Sequence, residues 1–157
     1  MGERDSSEAA ESPPSLERTL TNDLESLVAA TASLEDLLTR SAVEDETRFA
    51  CLLALEEIVT NIVKYAFDDR APHEIRFTAS LTGAEVMLRF SDDGRAFDPL
   101  EARPPDLELP PEERPIGGLG IHLVRQLAQR MEYERAAGRN VLTAYFALRR
   151  KSDREDS

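Results

Sequence analysis

Residues 44–67 read EDETRFACLLALEEIVTNIVKYAF, and this stretch predicts the helix around which the rest of the fold is arranged. It contains no glycine or proline, and acidic residues fill its first turn, where the dipole of a helix favours them. With 100° of rotation per residue, seven side chains gather into one stripe that is predicted to pack against a sheet. They are Cys51, Leu52, Leu55, Val59, Ile62, Val63 and Ala66.

The opposite side of this helix carries groups that could meet a ligand. Glu57 and Asn61 lie one turn apart, small alanines beside them leave room, and Lys64 could contact a phosphate. Taken alone, a carboxylate and an amide at this spacing are typical of a solvated helix face. The residues predicted on this side are Ala50, Leu53, Ala54, Glu57, Asn61 and Lys64.

The spacing of apolar residues predicts further helices and strands before and after this helix. Apolar residues alternate with polar ones in the strands, and recur at helical spacing in the helices. Together the elements predict an α+β fold, a two-layer α/β sandwich whose mixed, mostly antiparallel sheet is covered on one face by about three helices. The other elements are a helix from Asn22 or Asp23 to Ser41, strands at 73–81 and 85–90, a helix after Gly120, and strands at 132–136 and 140–148.

Length and charge limit the classes of protein to which the chain can belong. A chain of 157 residues fits one domain, which we place at 15–149, between disordered tails at 1–14 and 150–157. A net charge of −12 would repel a phosphate backbone, so nucleic acid is not expected as a partner. No signal peptide or membrane-length apolar stretch is found, and we expect a soluble cytoplasmic protein with no membrane partner.

Two glycine motifs follow the helix. Asp92 and Gly94 end the second strand, where the carboxylate could accept a hydrogen bond from an exocyclic amine and the glycine lets the backbone approach a flat ligand. The sequence GGLG at 117–120 precedes a helix, where free backbone N–H groups can bind an anion. Each motif is also common in ordinary turns. The long proline-rich segment between them, at 92–116, is predicted to be either functional or disordered.

The order of these motifs resembles the N, G1 and G2 boxes of the Bergerat-fold ATPases. The sequences that carry the resemblance are EEIVTN (56–61), DDGRAFDP (92–99) and GGLGIHLV (117–124), and they look most like the branch of anti-sigma-factor serine kinases. The resemblance extends from about Leu16 to Leu148. It implies ATP and Mg²⁺ as cofactors.

The resemblance also implies a task for each matching residue. Asn61 would bind the Mg²⁺ that bridges the ATP phosphates, and Glu57 would accept the proton of the attacking serine hydroxyl. Asp92 would bind the adenine amino group, with Gly94 allowing close approach, and the proline-rich segment would be the ATP lid. The phosphates would be bound by the glycine motif and by the helix lysine, that is, by Gly117, Gly118, Leu119, Gly120 and Lys64.

The resemblance implies that the chain is a serine kinase that phosphorylates a small anti-sigma-factor antagonist and sequesters a sigma factor or similar regulator, and that it could pair as a homodimer. One alternative is a partner-binding module that switches with nucleotide and transfers little or no phosphate. Another is a detached ATP-binding domain of a histidine kinase, because NIVKY (61–65) is similar to the N box of those enzymes. Histidine kinases need an upstream phosphoacceptor histidine, whereas this chain has only His73 and His122.

Overall fold

The computed structural model describes residues 13–101, 108–110, 112 and 118–151, with the backbone alone described at 118 and 119. These residues contain five strands, three α-helices and one turn of 3-10 helix at Pro99–Glu101. The predicted disorder at the two ends lies largely outside these residues. In chain order the elements are β1 (Ser15–Thr21), α1 (Leu24–Arg40), α2 (Asp45–Tyr65), β2 (Glu74–Leu81), β3 (Glu85–Asp92), α3 (Gly118–Leu127), β4 (Arg130–Ala136) and β5 (Arg139–Ala147).

The strands form one sheet in the order β1-β2-β3-β5-β4. Every pairing among the described strands is antiparallel, which corrects the prediction of a mixed sheet. The reason lies in the last hairpin. Strand β4 follows α3 and runs in the same direction as β3, but β5 turns back and inserts between them. The two strands of like direction are therefore never neighbours.

The predicted period-2 pattern is confirmed in β2 and β3. Their inward apolar residues, among them Phe77 and Phe90, are at most 1% exposed. These two rings are direct cross-strand partners with centroids 5.2 Å apart. Burial of one such side chain contributes about 1.5–3 kcal/mol to stability. The helices pack on this face of the sheet, so the two-layer α+β architecture is confirmed.

Helix α1 begins where the sequence predicts. Asp23 is its N-cap, and its carboxylate accepts a hydrogen bond from the backbone N–H of Ser26 at 2.8 Å. The Thr21 hydroxyl and then this Ser26 amide hold the pKa of Asp23 below its ordinary value. Capping of this kind satisfies a backbone donor that the first turn would otherwise leave without a partner.

Helix α2 is covered on more than one side, which corrects the prediction of a single buried stripe. Ala50 and Ala54, predicted to leave room for a ligand, are 6% and 0% exposed and belong to the core. Ile58 is buried as well, whereas Leu52 and Ile62 are only partly buried. The physical reason is that α2 contacts α1, α3 and the sheet at once, so its apolar surface extends around the helix.

The folded unit extends slightly beyond the predicted limits of the domain. The carbonyl of Pro14 accepts a hydrogen bond from the Leu81 amide, and the Lys151 amide donates to the carbonyl of Ala42, both at 2.9 Å. Pro14 and Lys151 are therefore attached to the sheet and to the end of α1, although the sequence assigned both to tails. Among the described residues, none of the helices is long and apolar enough to cross a membrane.

Candidate functional site

Asn61 and Asp92, which are 31 positions apart in sequence, line the same cleft. Asn61 lies in the last turns of α2, and Asp92 is the final residue of β3. The space in the cleft, counted together with the open solvent at its mouth, is about 390 Å³. An apolar slot with one carboxylate and one amide on its walls can hold a flat heteroaromatic ring and fix its orientation. Most of the remaining lining is apolar and includes Ile58, Ile62, Phe90, Phe97, Ile121 and Leu142.

The third motif meets the first at the start of α3. Gly120 lies so close to the Glu57 side chain that a Cβ atom at position 120 would overlap its carboxylate. Ile121, the next residue, lines the cleft. The three stretches that the sequence singled out therefore converge on one place in the fold.

Asp92 is held by the backbone and by a neighbouring strand. Its Oδ1 accepts hydrogen bonds from the Gly94 amide at 2.9 Å and from Nδ2 of Asn140 at 3.1 Å. The residue is only 3% exposed, yet its Oδ2 accepts no hydrogen bond from the residues that the structure describes. One carboxylate oxygen thus fixes the side chain, and the other remains for a ligand.

Gly94 is required by close packing against the end of α2. A Cβ atom at this position would lie 2.6 Å from the Cβ atom of Ala66 and closer still to its carbonyl oxygen. The next residue, Arg95, donates its backbone N–H to the Ala66 carbonyl at 2.9 Å and its Nε to the Tyr65 carbonyl at 2.7 Å. The loop after β3 is therefore attached to α2 beside the cleft.

Two polar side chains of α2, those of Glu57 and Asn61, have no partner among the described residues. Neither the Asn61 amide nor the Glu57 carboxylate forms a hydrogen bond or ion pair with a described residue, and both residues are half-buried. Among described residues no cluster of three or more acidic, histidine or cysteine side chains could hold a metal by itself. A single amide oxygen suits Mg²⁺, which keeps several waters and takes other ligands from phosphates.

The predicted phosphate loop is described in part. Helix α3 begins at Gly118, so the backbone N–H groups of its first turn are not used inside the helix and can bind an anion. Gly117 lies outside the described residues, and nothing is described of the Leu119 side chain. Part of the predicted ATP lid, at 102–107, 111 and 113–116, also falls outside them.

Three other residues of interest do not line the cleft. Lys64 is exposed in the last turn of α2, so its predicted contact with a phosphate stays a prediction. His73 stacks on Phe67 with a centroid distance of 3.9 Å, and His122 contacts Gln126 one turn away on α3. Both histidines therefore contact neighbouring side chains and do not face the cleft.

Sequence reasoning missed the part of the site that β4 and β5 contribute. Asn140 and Tyr133 both line the cleft, and Arg135 donates a hydrogen bond to the Gly94 carbonyl at 2.8 Å. A usable signal was the turn at Gly138, which sets the β4–β5 register and pairs Arg135 with Asn140. The register between β3 and β5, which places Asn140 beside Asp92, has no local signal.

A model of the histidine kinase-like ATPase domain matches residues 20–146 of this chain. The serine/threonine-protein kinase BtrW of Bordetella bronchiseptica is 34% identical over 129 residues, which cover 78% of this chain and 91% of BtrW. The serine-protein kinase RsbW of Listeria monocytogenes is 33% identical over 100 residues, covering 60% of this chain and 63% of RsbW.

A solved structure also has a similar fold. A crystal structure of the RsbU and RsbW domains of a Mycobacterium tuberculosis protein matches with a TM-score of 0.59. The match covers 86% of this chain and 32% of that one, at 21% sequence identity. At this level of identity the likeness concerns the fold alone.

Proposed function

Because this chain belongs to the histidine kinase-like ATPase domain family, we propose that it is an ATP-dependent serine protein kinase that acts as an anti-sigma factor. Its substrate is a small antagonist protein, and its second partner is a sigma factor or a similar regulator. We also propose that it acts in the cytoplasm, where sigma factors work, and that two copies of it pair as a homodimer. The names of its relatives, which are serine or serine/threonine kinases, support the kinase class.

One observation carries the proposal, namely the convergence of the three motifs on one cleft. Asn61 and Asp92 line it, and Glu57 lies against Gly120 at the helix start where phosphates would bind. A purely structural role for these residues would not require that an amide, a carboxylate and a helix N-terminus lie around one cleft. Each group also suits one part of the nucleotide. The Asp92 carboxylate suits the adenine amino group, the Asn61 amide suits Mg²⁺, and the helix N-terminus suits the phosphates.

The proposed transfer step uses these residues. The serine oxygen of the substrate protein forms a bond to the γ-phosphorus while the bond from that phosphorus to the ADP oxygen breaks, and the serine proton passes to the Glu57 carboxylate. Most of the catalysis comes from positioning and charge neutralisation, so Glu57 contributes one part of the rate. Asn61 would hold Mg²⁺ against the phosphates, and Asp92 would bind the adenine amino group.

A groove between α1 and α2 supports a protein as the substrate. Val28 and Phe49 are 69% and 64% exposed, which is unusual for large apolar side chains that line one groove. Leu53 lines the same groove and lies one turn before Glu57, so the groove leads along α2 to the proposed base. Glu35 and Glu56 border it, so the docking segment of the antagonist is expected to be apolar with basic flanks.

The test is phosphorylation of candidate antagonist proteins with labelled ATP and Mg²⁺. Glu57→Ala is expected to abolish serine labelling while leaving ATP affinity intact. Glu46→Ala, which replaces an exposed acid about three turns away on α2, is the matched control. Asn61→Ala and Asp92→Ala are expected to lose ATP binding. Unchanged ATP binding in both would overturn the nucleotide site.

The same experiment separates the enzyme from a switch module. If the wild-type protein binds ATP and a partner but labels none of the candidates, the kinase activity is contradicted and a nucleotide-dependent binding module is favoured. If Glu57→Ala still labels serine at the wild-type rate, the proposed base is wrong.

A further inference from the structure

Asn140 lies directly opposite Asp92 in the β3–β5 ladder, and its side chain is at the centre of a buried hydrogen-bond network. The residue is 5% exposed. Its Nδ2 donates to Oδ1 of Asp92 at 3.1 Å and to the carbonyl of Arg95 at 2.8 Å. Both protons of the amide nitrogen are therefore used.

The oxygen of the same amide is equally occupied. Its Oδ1 accepts hydrogen bonds from the Tyr133 hydroxyl, from Nη1 of Arg135 at 3.1 Å, and from the backbone N–H of Phe97 at 3.2 Å. If the amide rotated by 180°, its NH₂ group would face two N–H donors and the tyrosine, and its oxygen would face the Asp92 carboxylate. Only one orientation of the amide satisfies its neighbours.

This fixed amide determines which oxygen of Asp92 faces the cleft. Oδ1 already accepts from Asn140 and from the Gly94 amide, so it is turned toward β5 and the loop. Oδ2 accepts nothing from the described residues, although no fully buried side-chain oxygen or nitrogen among them lacks a partner. Oδ2 is therefore reached from the cleft, where it can accept one further hydrogen bond.

On the premise of the proposed nucleotide site, we propose that Asn140 is a positioning residue for base recognition. It holds Asp92 so that Oδ2 meets the exocyclic amino group of adenine, and Tyr133 and Arg135 on the edge strand β4 lock the Asn140 amide in the orientation that does this. Arg135 also donates to the Gly94 carbonyl, so β4 fixes both the amide and the loop beside the base.

A purely structural network would stabilise the protein without affecting which base it prefers. The discriminating measurement is therefore a comparison of two ligands, ATP and purine riboside triphosphate, which differs from adenosine triphosphate only in lacking the 6-amino group. Their dissociation constants are measured by calorimetry with Mg²⁺ for the full chain. Hydrogen bonds to a charged group are each worth a factor of about 10 or more in affinity, so the wild type is expected to prefer ATP by at least that factor.

Three variants test the positioning. Asn140→Ala is expected to weaken ATP binding about tenfold and to leave purine riboside triphosphate within about threefold, so that the preference disappears. Tyr133→Phe removes one hydroxyl from the network and keeps the ring, and is expected to lower the preference about threefold. Tyr145→Phe is the matched control, because its hydroxyl contacts Glu132 on the exposed side of the sheet.

Circular dichroism and thermal unfolding without nucleotide identify variants that fold. If Asn140→Ala does not fold, Tyr133→Phe decides the question. Equal weakening of both triphosphates in Tyr133→Phe, or an unchanged preference, would overturn the positioning of Asp92 by this network. Failure of the wild type to bind either triphosphate would contradict the proposed function itself, which is a different result.

Discussion

The side chain of Glu57 occupies the space that a Cβ atom would need at Gly120. The middle of α2 and the start of α3 can therefore pack this closely only because residue 120 has no side chain. The glycine was predicted for its backbone N–H, which can face a phosphate. The structure gives it a second purpose, since it lets the proposed base lie beside the helix N-terminus. The proposed phosphate-binding loop and the proposed base are therefore in direct contact at Gly120 and Glu57.

Gly120→Ala is expected to displace Glu57 while leaving the fold intact. The clash is mainly with the far end of a flexible side chain, which can rotate away, so the free energy of unfolding should change by less than about 1 kcal/mol. Phosphoryl transfer should fall at least about tenfold, because a displaced base loses much of the usual contribution of general-base catalysis. Serine labelling and urea unfolding measure the two effects.

Gly83→Ala is the matched control for this substitution. No atom lies within 4 Å of a Cβ placed at Gly83, so neither stability nor labelling should change. Equal loss of activity in both alanine variants would show that the Glu57 contact is not the cause.

Gly94→Ala is expected to act differently, through the backbone. The added Cβ would meet the carbonyl group and the Cβ atom of Ala66, none of which can rotate away. The loop after β3 must then separate from α2, at a cost of about 1–3 kcal/mol in unfolding free energy. ATP affinity should fall as well, because Asp92 is held by the Gly94 amide. Urea unfolding measures the loss of stability, and calorimetry measures the loss of ATP affinity. A wild-type unfolding free energy together with a wild-type ATP affinity would contradict the packing argument.

The sequence predicted the features that are encoded locally. The cap at Asp23, the alternation in β2 and β3, and the side-by-side placement of Glu57 and Asn61 each depend on residues within a turn or two of one another. Local periodicity and capping chemistry are sufficient for these. The order of the motifs then showed the resemblance to the Bergerat-fold ATPases, and this resemblance predicted that the motifs line one cleft.

The features that the sequence did not predict depend on distant contacts. Ala50 and Ala54 are small because other elements pack on them, and a helical wheel cannot distinguish such a side from one that faces a ligand. Asn140 is part of the site because β5 inserts between β3 and β4 with a particular register. A shift of one residue in that register would have turned Asn140 to the other face of the sheet.

Phe49→Glu is expected to weaken docking of the antagonist while ATP affinity is unchanged. Phe49 is 64% exposed in the groove between α1 and α2, so the substitution should hardly affect the fold, yet it places a charge on the apolar docking surface. Residues that anchor an interface cost about 2 kcal/mol or more when replaced, so labelling at low antagonist concentration should fall more than tenfold. The effect should be in KM for the antagonist.

Leu127→Glu is the control for that surface, because Leu127 is also an exposed apolar residue, 42% exposed, but lies at the end of α3 away from the groove. Normal labelling by Phe49→Glu would exclude the groove as the docking site. A similar defect in Leu127→Glu would indicate that any new surface charge disturbs labelling.

The buried thiol of Cys51 should make the free energy of unfolding depend on pH in the alkaline range. Burial raises the pKa of its thiol from 9.0 to about 12, and the side chain is fully enclosed in the core. Above pH 9 the unfolded chain therefore releases a proton that the folded protein keeps, so the unfolded state binds fewer protons and stability falls as pH rises. Below pH 9 both states keep the proton and the thiol contributes no pH dependence.

The contribution of this one thiol can be isolated by comparing the wild type with Cys51→Ala. The alanine variant is expected to be less stable at pH 8 because it leaves a small cavity. Between pH 9 and 12 the difference between the two proteins should shrink, by at most about 1.4 kcal/mol per pH unit, because only the wild type has the thiol to titrate. Urea unfolding at pH 8, 9 and 10 measures it. A difference that stays constant from pH 8 to 10 would mean that the thiol of the folded protein titrates as it does in the unfolded chain, and that burial in α2 does not protect it.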